Sequence, residues 1–412
     1  MAHKMLIKNI GMLATAQGNA ARCGKDQGEI VKLEGAWISI EDDKIKDFGQ
    51  GGCSAEGFDE VVDAEGHLVT AGLVDAHTHL VFGGWRQNEL GLKLHGASYL
   101  DILANGGGIL STVRSTRSAT EDELYDKAWE ALDEMLSMGV TTCEAKSGYG
   151  LNTESEFKQL YAMKRLNEDH TVDLVPTFLG AHMVPEEYKD NREEYIRILI
   201  EEMMPRVKEE GLAEFCDVFC EEGVYTAEES KVILEAGQKY GLKSKIHSDE
   251  IEALGGTELC AELKATSAEH LIVCKPSGIK AMAEGGTVAC TLPATSFYLG
   301  ATFAPARDMI EAGVPVAVAS DFNPGSCPSL NLQFCMNLAC LKYRLTPEEM
   351  LTAVTLNAAA AVCRADKIGS IEAGKQADIV IWKAPDLDYL PYRMGSNLVS
   401  QVIKKGKVVV NN

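Results

Sequence analysis

Between residues 68 and 321 the chain alternates short apolar runs with stretches of helical periodicity, and it does so eight times. The runs occupy 68–74, 140–144, 172–178, 216–220, 242–247, 266–270, 287–292 and 315–321, each short and rich in Val, Ile, Cys or Thr as buried strands are. In the gaps, residues such as Leu124, Ala128, Leu132 and Met135 fall on one helical face. Thr120 with Glu123, Thr153 with Glu156, Thr226 with Glu229 and Thr346 with Glu349 have capping-box spacing, in which hydroxyl and carboxylate satisfy the orphan N–H groups of a helix start. Pro347 at a first helical position strengthens the last of them. Eight strands alternating with helices over roughly 250 residues predict an α/β fold with a (β/α)8 barrel, placed here at 67–365. A doubly wound open sheet is the alternative, since alternation does not prove closure. Residues 1–66 and 366–412 instead show strands and turns without helical periodicity, and are expected to fold together as a small β-sandwich domain.

A parallel barrel presents its chemistry at the C-terminal ends of its strands. There the first run ends in His77-Thr78-His79, whose imidazoles share one side because residues i and i+2 of an extended chain do. His182 follows the third strand, His247 ends the fifth, His270 the sixth, and Asp321 the eighth. Five of the chain's nine histidines therefore gather at predicted strand ends. His77, His79, His247 and Asp321 make a three-nitrogen, one-oxygen set suited to one Zn²⁺ or iron ion with room for water. Glu250, three residues beyond His247, could move protons between such a water and a leaving nitrogen, and His270 could polarise the carbonyl under attack.

Each residue also has a plainer reading. His-x-His on a strand is often incidental, and His182 could be a satisfied core histidine. Asp321 could cap a helix ahead of Asn323-Pro324, and Glu250 could favour a helix start. Arg86 is by default a solvated charge, yet beside a metal pocket it would clamp a substrate carboxylate. Tyr149, in Ser147-Gly-Tyr-Gly150, is a ligand contact or a surface turn. Asn105-Gly106-Gly107-Gly108 lacks the Gly-Lys-Ser/Thr of a phosphate loop and reads better as a loop over the barrel mouth.

Composition narrows the partners. A net charge of −22 argues against nucleic acid and anionic membranes, and means that an anionic substrate needs a local basic residue. Twelve cysteines are scattered without any CxxC pair, which points to reduced thiols and a cytoplasmic address. No apolar run reaches the length of a transmembrane helix, and the first residues make a poor signal peptide.

Gly72-Leu-Val-Asp-Ala-His-Thr-His79, the isolated His247 and Ala319-Ser320-Asp321 resemble the amidohydrolase superfamily along essentially the whole chain. More closely, the segments 79–86, 144–150, 178–182, 246–250 and 320–326 resemble its members that open a small cyclic amide in histidine degradation. The resemblance implies His77, His79, His247 and Asp321 as metal ligands and His270 as catalytic, with Glu250 or Asp321 returning a proton to the leaving nitrogen. It implies Arg86, Tyr149, His182 and Glu250 as substrate contacts, with Asn323, Gly325 and Ser326 lining the far side and Tyr99 as a further contact. Dinuclear members carry a lysine at the end of the fourth strand; here that strand ends Phe219-Cys220-Glu221-Glu222, so one ion per subunit is expected. Relatives are typically homodimers. A deaminase of the same superfamily and a binding protein on a catalytically dead barrel are the competing readings.

Overall fold

The computed structural model describes residues 2–96 and 107–412. Its first five strands are β1 (Lys4–Thr15), β2 (Val31–Glu41), β3 (Lys44–Gln50), β4 (Glu60–Asp63) and β5 (Leu68–Ala71). Eight more follow as β6 (Leu73–Asp75), β7 (Val140–Lys146), β8 (Asp173–Ala181) and β9 (Phe215–Cys220), then β10 (Lys243–Ser248), β11 (Ser267–His270), β12 (Val288–Thr291) and β13 (Val316–Val318). The chain closes with β14 (Ile379–Trp382), β15 (Val399–Lys404) and β16 (Lys407–Asn411).

β6 to β13 pair in chain order, each parallel to the next, with helices between them. The path from β13 back to β6 is completed just beyond the strand ends. Asp321 N–H donates to His77 O at 3.0 Å and His79 N–H donates to Phe322 O at 2.9 Å. The barrel prediction therefore holds, and the last bonds that close it run through three of the residues singled out by chemistry.

The terminal segments also fold together. β16, β15, β14, β5, β1, β2 and β3 form one mixed sheet in that order, with β4 on β1, and apolar residues such as Ile7, Ile38, Val69, Ile379 and Ile403 meet in a core of their own. The run at 68–74 proves to be two strands. β5 pairs with β1 and β14 in the terminal sheet, and β6 begins the barrel one residue later. Gly72 makes that passage possible, since a Cβ there would lie 2.4 Å from Thr141 Oγ1.

Three capping boxes form as expected, at Thr120, Thr226 and Thr346. The fourth does not. Asn152 caps that helix by accepting from Ser155 N–H, and Glu156 turns instead to the preceding loop. Among the described residues, no helix is long and apolar enough to cross a membrane.

Candidate active site

The barrel rim gathers the residues that the strand ends offered. His77 and His79 leave β6 in one direction, and both are buried. His77 Nε2 lies 3.5 Å from Asp321 Oδ1, His79 Nε2 lies 3.6 Å from the same oxygen, and the Nε2 atoms of His79 and His247 are 3.4 Å apart. Ligands about 2.1 Å from a tetrahedral ion sit about 3.4 Å from one another, so these spacings suit a single cation. Two of the converging atoms, His77 Nε2 and Asp321 Oδ1, are buried with no hydrogen-bond partner, a costly condition that a shared cation relieves. Burial first, then the charge of Lys146, holds the His77 imidazolium well below its usual range; burial followed by His182 does the same at His79. Both rings are thus neutral donors of the kind a metal takes.

Two of the three remote ring nitrogens face a buried carboxylate, while His79 Nδ1 has no hydrogen-bond partner. His77 Nδ1 meets Glu269 Oε2 at 2.8 Å, and His247 Nδ1 meets Asp217 Oδ2 at 3.0 Å. The Glu269 bond sets the tautomer and orientation of His77, and Asp217 lies against His247 at ion-pair distance without an aligned hydrogen bond. Asp321 is held by Thr295 Oγ1, which donates to Oδ2 at 2.5 Å and leaves Oδ1 facing the histidines. Its φ of 58° swings the carboxylate across the end of β13, and no helix starts there for it to cap.

Around this cluster opens a cavity of about 910 Å³, lined by His79, Arg86, Tyr149, His182, His247, Glu250, His270, Asp321, Asn323, Gly325 and Ser326 among others. All the proposed contacts within the described residues are therefore brought together; Tyr99, Asn105 and Gly106 lie outside those residues. His182 stacks on His79, with centroids 4.8 Å apart and planes inclined by 10°. Its Nδ1 meets Gly148 O at 3.1 Å, and burial pulls its pKa down to about 3. Glu156 grips the loop carrying Tyr149 by accepting from the N–H groups of Gly148, Gly150 and Leu151. Glu250 stands off His270, Oε2 to Nε2 at 3.6 Å, and burial pushes its carboxyl up to about 7. Burial lowers His270 to about 4. His270 also stands close to the centre, one of its ring nitrogens lying within 4.8 Å of a ring nitrogen of His77 and a carboxylate oxygen of Asp321.

Arg86 is neither solvated nor bare. Its Nε and Nη2 are gripped by Glu89 at 2.9–3.1 Å, and Glu89 also accepts from Gly108 N–H at 2.7 Å. Gly325 leaves room for the guanidinium, since a Cβ there would fall 2.1 Å from Nη1. Asn323 lines the cavity while tying its own turn, accepting from the N–H groups of Gly325 and Ser326 at 2.8 Å. Gly108, at the end of the glycine-rich stretch, precedes the helix Ile109–Ser118. Sequence reasoning missed Glu89, Asp217, Glu269 and Thr295. Only for Asp217, an acid inside an apolar strand, was there a visible signal.

The Amidohydrolase family model matches residues 68–409. Imidazolonepropionase of Alkaliphilus metalliredigens is 54% identical over 413 residues, covering 99% of this chain and 98% of that protein. Those of Streptococcus gordonii (53%, covering 94% and 93%) and Bacillus velezensis (50%, covering 98% and 97%) are similar throughout. The chain belongs to the amidohydrolase family, among its imidazolonepropionases. Solved structures of more distant enzymes show the same fold. They include triazine hydrolase from Arthobacter aurescens (TM-score 0.75, 18% identity, covering 100% and 95%) and 5-methylcytosine deaminase from Klebsiella pneumoniae (TM-score 0.75, 16% identity, covering 99% and 97%).

Proposed function

We propose that this imidazolonepropionase-family chain hydrolyses the cyclic amide 4-imidazolone-5-propanoate to N-formimidoyl-L-glutamate in histidine degradation. The observation that carries the reading is the pairing of a metal-ligand cluster with Arg86, the one lysine or arginine among the described residues lining the cavity. His77, His79, His247 and Asp321 would hold one divalent ion, zinc or iron. That ion would lower the pKa of water and polarise the ring carbonyl.

The protein's own groups divide the remaining work. Arg86 takes the propanoate carboxylate at the guanidinium edge that Glu89 leaves, which fixes the ring over the cluster. Tyr149, His182, Asn323, Gly325 and Ser326 wall the substrate, with Tyr99 a further contact. Glu250 accepts the proton lost by water as its oxygen bonds to the carbonyl carbon, and delivers it to the ring nitrogen as the C–N bond breaks. Asp321 is the other carboxylate within reach of that proton. His270, neutral at ordinary pH, hydrogen-bonds the oxygen that gains charge. The enzyme is expected to act as a cytoplasmic homodimer, in three spans: 67–365 as the barrel, and 1–66 with 366–412 as the β domain.

Loss of imidazolone absorbance on adding enzyme, with formimidoylglutamate as product, tests the reading together with metal analysis. The activity should vanish on chelation and return with zinc or iron. Ammonia release from cytosine or guanine, with no imidazolone turnover, would assign a deaminase instead. Absence of both metal and turnover after reconstitution would leave a binding protein.

A further inference from the structure

Below the rim, the barrel interior holds a chain of charges that the reaction does not touch. Glu269 has one oxygen, Oε2, on His77 Nδ1; the other, Oε1, faces Lys245 Nζ at 3.4 Å and accepts from Ser267 Oγ at 2.5 Å. Lys245 Nζ donates onward to Glu144 Oε2 at 2.9 Å. Glu144 Oε1 accepts from Lys146 Nζ at 3.0 Å and from Thr177 Oγ1 at 2.5 Å. Lys146 Nζ then donates to Asp217 Oδ2 at 2.8 Å, the same oxygen that faces His247 Nδ1. The path runs from His77 through Glu269, Lys245, Glu144, Lys146 and Asp217 to His247, with the four inner links ion pairs, an imidazole against a carboxylate at each end, and every intervening side chain fully buried.

A buried ionic layer of this size is a poor way to fill a barrel. Close-packed aliphatic side chains would do so without removing five charges from water. Charges retained in such a place are best explained by what they hold. Here each end of the path is an imidazole whose Nε2 points at the proposed ion. We propose that Glu144, gripped by one lysine on each of its oxygens, is a positioning residue for the metal centre. Through Lys146 and Lys245 it holds Glu269 on Nδ1 of His77 and Asp217 within 3.0 Å of Nδ1 of His247, and so keeps both Nε2 lone pairs turned to the ion.

With the central charge lost, both lysines keep their buried positive charge, and the outer carboxylates are the counter-charges left to them, Lys245 also having Ala76 O at 3.4 Å. Those carboxylates then compete between ammonium and imidazole, and the two rings are released from a single orientation. Lys245 lies two residues from His247 on β10, so the strand's alternation places both inside the barrel.

Cobalt(II) binding to the full-length protein tests this with no substrate present. Affinity is measured against a chelator, and ligand-field bands report the geometry of the centre. Glu144→Gln preserves the side chain's volume; it should weaken cobalt(II) binding about 10- to 100-fold and alter the bands, with circular dichroism unchanged. Thr177→Val removes one neutral donor to Glu144 and leaves every charge in place, so it should weaken binding less, about threefold. It serves as the readout if Glu144→Gln does not fold. Variants that fold and bind with parental affinity and spectrum, or that lower only the melting temperature of the metal-free protein, would overturn the proposal. It rests on His77, His79, His247 and Asp321 holding an ion. A parent protein that takes up no cobalt(II) would refute that reading, whereas equal binding by parent and variant would refute the positioning role alone.

Discussion

Arg86 shows how far the fate of one side chain depends on its neighbours. By composition it is one of 39 basic residues, most of them expected at the surface. In the fold it is gripped by Glu89, backed by Gly325, and turned into the cavity. Arg86→Ala should raise KM for the propanoate substrate about 10- to 100-fold, lower kcat as the ring loses its orientation, and leave metal content unchanged, as steady-state kinetics with metal analysis would show. Glu250 carries the second prediction. Burial lifts its carboxyl from 4.5 to about 7, so as a proton acceptor it is active only above that pH. An adjacent cation favours the carboxylate and moves the midpoint down. kcat/KM should therefore fall on acidification through an apparent pKa at or below about 7, and Glu250→Gln should remove that limb together with most of the rate. A profile whose acid limb survives the substitution would take the proton-transfer role from Glu250.

At the level of elements, the loop after β7 is as well determined as any strand. Glu156 collects three backbone donors from it, and Gln159 adds Tyr149 N–H at 3.2 Å, donating in turn to Val81 O. Glu156→Ala would leave those three buried donors without acceptors and should cost about 3 kcal/mol or more in urea unfolding, with a higher KM as Tyr149 loses its seat. This element also marks where sequence reasoning stopped. The spacing of Thr153 and Glu156 matched a capping box, but a motif cannot tell that the loop has a stronger claim on the carboxylate. The run at 68–74 hid its division for a similar reason, because pairing with Ile379–Trp382 is information held three hundred residues away. The strand-end histidines were legible because period-two geometry and metal chemistry both act over a few residues. Lys245 could have been read too, since any strand that points His247 inward points Lys245 inward. Glu89 and Glu269 had no such local mark.

In the molecule as a whole, the first and last barrel strands meet without a ladder of their own. Backbone bonds at His77 and His79 with Asp321 and Phe322 join them, with one isolated bridge between Thr78 and Phe322. The proposed ion would sit across that junction, taking ligands from both sides. Hydrogen exchange at the His79 and Asp321 amides should therefore accelerate about tenfold or more on chelation, beyond any change at β8 or β9. Equal exchange with and without metal would show that the junction closes unaided. A ribosome delivers the two histidines early and the aspartate near the end of the barrel, so the complete ligand set cannot exist until the final strand has docked. Uptake of the ion would then work as a latch that recognises finished cylinders, and an unfinished chain would carry a cluster too incomplete to retain it.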